Sequence, residues 1–90
     1  MNINFENLKE IYGDEILDVI NENIDIIEAN VKTMQELGFD DVEDLLEKNI
    51  DSFLFFPNNF KNKMEELIKE VGPNYVDVIE NDMSYMDKIL

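Results

Sequence analysis

The sequence predicts an all-α domain, a small helical-repeat array or compact bundle of about six helices, short and long alternating. Three observations predict it. Apolar residues recur at a helical period through most of the chain, Gly and Pro punctuate the stretches between them, and three stretches align with one another without gaps. Residues 1–90 read as one domain with repeat-like units at 14–38, 39–72 and 73–90.

Asn4 can cap a first short helix that turns Phe5, Leu8, Ile11 and Tyr12 inward; Gly13 ends it. Asp14 opens a second helix with Ile16, Leu17 and Ile20 as its buried stripe, Val19 at the edge, and Glu15, Asp18 and Glu22 outside. Asn23 then offers a cap for a longer helix carrying Ile24, Ile27, Val31, Met34 and Leu37. Gly38 suits the left-handed position past its end. Asp40, followed three residues later by Glu43, resembles a capping box, and Val42, Leu45, Leu46 and Ile50 form the next apolar face. Pro57 breaks the Phe-Leu-Phe-Phe run before it, and Asn58 or Asn59 can cap the helix of Phe60, Met64, Leu67, Ile68 and Val71. Gly72-Pro73 stops that helix. Asn74 caps one with Tyr75, Val76, Val78 and Ile79, and Asp82 starts a last one with Met83, Met86, Ile89 and Leu90.

The internal alignment pairs EILDVINENIDII (15–27), DVEDLLEKNIDSF (41–53) and NYVDVIENDMSYM (74–86). Asp18, Asp44 and Asp77 coincide, as do Ile20, Leu46 and Ile79, and Ile24, Ile50 and Met83. A short helix followed by a second element, used three times, is the pattern of a helical solenoid or a compact bundle.

The central unit also resembles the helical repeat of the mitochondrial transcription termination factor (mTERF) family. Leu37-Gly38-Phe39, Val42, Leu45-Leu46, Phe53-Leu54, Phe60, Met64, Leu67 and Val71-Gly72 carry the resemblance over about 35 residues. The family's Pro after the apolar doublet is replaced by Asn49-Ile50, with Pro57 displaced later. The resemblance implies an architecture. Members bind nucleic acid through basic residues along the superhelix, and the matching helices here are acidic, so no such residue carries over.

Composition excludes more than it selects. With 22 acidic residues against seven Lys and no Arg, the net charge is −15, which repels phosphate backbones and anionic lipid. Direct nucleic-acid binding and membrane binding are therefore not expected, and stability should rise as salt screens self-repulsion. No Cys or His is present, so thiolate and imidazole chemistry are absent, and no apolar run reaches the length of a membrane span. The opening MNINFENLKE has neither a basic stretch nor an apolar one, so no signal peptide is expected and the cytoplasm is the expected compartment.

Nothing in the motifs points to catalysis. Asp14–Asp25 and Asp40–Asp51 lack the central Gly and alternating ligands of a calcium loop. Ser52, Thr33 and Ser84 have no His to activate them, and there is no Gly-rich phosphate loop. No enzyme, no cofactor and no metal site is expected.

Lys61, Lys63 and Lys69, the one basic concentration, sit among Glu65, Glu66 and Glu70, where local pairing accounts for them. Phe53, Phe55, Phe56 and Phe60 crowd one bend, too many rings to bury together, so one or two exposed rings could seed an interface.

The leading expectation is a non-enzymatic protein-interaction module of unknown partner, a homodimer among the options. It would use Phe55 and Phe56 with the acidic face of Asp40, Asp41, Glu43, Asp44 and Glu47. The alternative is a decoy that mimics nucleic acid on a DNA- or RNA-binding protein. It would add Asp14, Glu15, Asp18 and Glu22 to the same carboxylates and needs the charge gathered on one face.

Overall fold

The apolar periods become helices almost wherever the sequence predicts them. In the computed structural model, which describes residues 4–90, α1 spans Phe5–Tyr12, α2 Ile16–Glu22, α3 Ile24–Glu36, α4 Val42–Lys48, α5 Pro57–Val71 and α6 Tyr75–Asn81. Two 3-10 segments, Ile50–Phe53 and Met83–Ile89, follow α4 and α6, and no strand occurs among the described residues. The fold is an all-α small helical bundle. Its radius of gyration of 12.6 Å is that of a closely packed chain of this size.

The two longest helices, α3 and α5, pack against each other and form the spine. The α4 helix and the first 3-10 segment lie on α3, and the second 3-10 segment lies on α5 and α6. One buried cluster joins Ile20 of α2, Ile27, Val31 and Met34 of α3, Leu45 and Leu46 of α4, Phe60, Met64 and Leu67 of α5, and Ile79 of α6. Phe53 stacks obliquely on Phe60 at 5.3 Å between ring centres and so joins the 3-10 segment to the spine. Each fully buried side chain of this size contributes about 1.5–3 kcal/mol relative to exposure.

The first halves of the aligned stretches adopt matching local structure, while their second halves differ, being the start of α3 in one and 3-10 segments in the other two. Helices α2, α4 and α6 are seven residues each and begin at the second aligned position. Ile20, Leu46 and Ile79, coincident in the alignment, are all buried. Asn23 and Asn49, also coincident, both turn their side-chain amides back to the carbonyl four residues earlier, Val19 and Leu45.

Several local expectations change. Asn23 sits at the start of α3 but does not cap it, because its amide already serves Val19. Pro57, not Asn58 or Asn59, opens α5: it occupies the first turn, where its missing N–H costs nothing, and Phe56 before it is extended at φ −56, ψ 145. The final apolar stretch is a 3-10 segment whose first turn Asp82 caps through the Ser84 amide, and Leu90 is exposed. Of the four α1 residues expected to face inward, Leu8 alone is buried; Phe5 is 44% and Ile11 54% exposed. Lys61, Lys63 and Lys69 form no ion pair with a carboxylate among the described residues, and Lys63 instead lies over the Phe55 ring, 4.9 Å from its centre.

An acidic surface around α4

The apolar spacing of α4 determines where its charges go. Val42, Leu45 and Leu46 share the buried face, so Glu43, Asp44 and Glu47 fall on the opposite arc. The loop that delivers the helix is held on both sides. After α3, the Gly38 amide donates to the Gln35 carbonyl and the Phe39 amide to the Met34 carbonyl, with Gly38 at φ 93, a conformation only glycine adopts without strain. Phe39 is buried and packs at 5.7 Å on Tyr75, whose hydroxyl donates to the Leu37 carbonyl.

The expected capping by Asp40 is not what holds α4. The N-cap position belongs to Asp41, whose side chain makes no capping bond. Glu80 of α6 reaches across instead: its two carboxylate oxygens accept the Asp40 and Asp41 amides, each at 3.2 Å. An acid from another helix thus satisfies donors at a helix start, where the helix dipole favours negative charge.

Asp40, Asp41, Glu43, Asp44 and Glu47 all line one surface cavity of about 530 Å³, together with Gln35, Phe39 and Val42. Phe39 and Val42 are the buried part of that lining. Lys48 pairs with Asp44 at 3.2 Å, one turn apart and in the favourable order. Glu47 is tied to α1: its carboxylate accepts from the Asn7 amide at 3.1 Å and its main-chain oxygen from the Tyr12 hydroxyl at 2.8 Å. Burial raises the Tyr12 pKa above its ordinary 10.0; the Ile50 backbone bond opposes this and the Asp51 charge adds to it.

The phenylalanine bend is a separate place. Phe55 and Phe56 do not line the acidic cavity. Phe56 is 69% exposed at the mouth of α5, while Phe55 is half-buried under Lys63. The bend is fastened from beneath by Asn30, fully buried in α3, whose amide donates to the carbonyls of Phe53 at 2.9 Å and Phe55 at 2.8 Å.

The sequence reading did not single out Asn30, Glu80, Asn7 or Tyr12 as organising residues. Asn30 carries a readable signal, a polar residue inside the apolar stripe of Ile27, Val31 and Met34. Glu80 carries none, since it is one of 22 acids and its role depends on the distance between α6 and α4.

The arrangement can gather cations and basic groups in a negative field backed by an apolar floor. Among the described residues no group of His, Cys, Asp or Glu is placed to hold a metal ion, and no helix is long and apolar enough to cross a membrane. Compared with family models, with curated proteins and with solved structures, the chain matches none.

Proposed function

We propose that the chain is a non-enzymatic, cytoplasmic protein-interaction module that presents the acidic surface around α4 to a basic segment of a protein partner. One observation carries the reading: the five carboxylates clustered within residues 40–47 line a single cavity with Phe39 and Val42 beneath them. Glu80 and the Gly38 turn fix the backbone that bears them, so little ordering would be needed on binding. The matching forms of α2, α4 and α6 support a three-unit helical repeat as the scaffold, the architecture that the sequence resemblance to the mTERF repeat implies.

The test is affinity capture from cell lysate at low and high salt with the wild-type chain, with an Asp41→Asn, Glu43→Gln, Asp44→Asn variant, and with Phe56→Ala. A protein retained by wild type and lost by the triple variant supports the acidic surface. If that protein binds nucleic acid and added nucleic acid displaces it, the surface acts as a decoy. A protein lost only by Phe56→Ala moves the interface to the phenylalanine bend and overturns the reading.

A further inference from the structure

Among the described residues, α1 is the α-helix whose substantial packing is to a single neighbour. It has eight residues, too few to hold together alone in water. Its single buried side chain is Leu8, while Phe5 and Ile11, which flank Leu8 on the two borders of the stripe, stay about half exposed. Its substantial packing is to its chain neighbour α2. Beyond that, Asn7 and Tyr12 both donate to Glu47, and the Tyr12 hydroxyl also takes a backbone bond from Ile50. Gly13 joins α1 to α2 at φ 93, with open space around the position a Cβ would take.

We propose that α1 is a hinged arm, held closed by Leu8 and by a latch on Glu47, that comes away at Gly13 and unwinds while α3, α4 and α5 stay folded. The physical ground is a difference in local stability. Elements that bury few apolar groups open at a free energy well below that of global unfolding. Opening the arm gives up one buried leucine, the packing on α2 and the exposed hydrogen bonds to Glu47, whereas opening α3 or α5 dismantles the core. The arm also controls a piece of the acidic surface, because the closed latch occupies the Glu47 carboxylate and main-chain oxygen. The opening itself does not depend on what that surface binds.

Native-state hydrogen exchange on the whole chain, with no added partner, tests the arm. The Leu8 and Gly13 amides, bonded to Asn4 and Lys9 carbonyls, report on α1; amides within α3 and α5 report on the core. In the wild-type chain the α1 amides should exchange faster than the core, at a rate nearly independent of low urea concentrations. Tyr12→Phe and Asn7→Ala, each removing one donor of the latch, should each speed α1 exchange by about three- to tenfold and leave α3 and α5 unchanged. Two results overturn the proposal. One is α1 and core amides exchanging together with the urea dependence of global unfolding. The other is latch variants that change the α1 rate no more than the core rate.

Discussion

Helix α1 and the central unit from α4 to α5 begin from the same kind of sequence and end in different states. Both carry apolar residues at helical spacing. In the central unit Val42, Leu45, Leu46, Ile50, Phe53, Phe60, Met64 and Leu67 are all buried; in α1 only Leu8 is. Periodicity states which face of a helix is apolar. How much of that face is covered depends on how many other elements reach it: α4 and the first 3-10 segment meet each other and α3, while α1 packs substantially only against α2. Half-covered Phe5 and Ile11 are the consequence of a helix at the edge of the bundle.

The largest expected effect breaks the comparison at its strongest point. Phe53→Ala, in a fully buried site stacked on Phe60, should destabilise the fold by about 3–5 kcal/mol, and Phe5→Ala by less than about 1 kcal/mol. Urea unfolding of both variants measures this, and equal losses would erase the contrast. Next comes Asn30→Ala. It strips the Phe53 and Phe55 carbonyls of their donor and should cost about 1–2 kcal/mol. The Asn30 carbonyl oxygen is itself buried without a hydrogen-bond partner among the described residues, so the loss is reduced by its removal. A variant more stable than wild type would show that this orphan oxygen outweighs the two donated bonds.

The smallest effect belongs to the edge helix. Burial raises the Tyr12 pKa in the folded chain above its ordinary 10.0. A raised pKa means that the folded state holds the proton more tightly than the unfolded state does. The stabilisation from the neutral hydroxyl is therefore complete below about pH 10 and is lost as the pH rises through the folded-state value. Ultraviolet titration of wild type compared with Tyr12→Phe should show Tyr12 ionising above its ordinary range. The alkaline loss of stability should be smaller in Tyr12→Phe than in wild type; an identical loss would assign it to other groups.

Much of the architecture was legible in the chain. The stripes of α3 and α5, the stops at Gly38 and Gly72-Pro73, and the gapless alignment that matches α2, α4 and α6 all depend on residues close together in sequence. Part of the candidate surface was legible for the same reason. Once Val42, Leu45 and Leu46 face inward, Glu43, Asp44 and Glu47 have only the outer arc. The separation of Phe55 and Phe56 from that surface was not, because it depends on the path of the bend over α3.

By itself the sequence determined the all-α class, the helical positions and the charge of −15, since backbone propensity, apolar period and ionisation are local properties. Only the tertiary structure decided that Glu80 would hold the start of α4, that Asn30 would fasten the phenylalanine bend, and that α1 would be latched through Glu47. Each of these joins residues at least 23 positions apart. A hydrogen bond acts over about 3 Å, so which of many equivalent acids or amides makes it is set by packing.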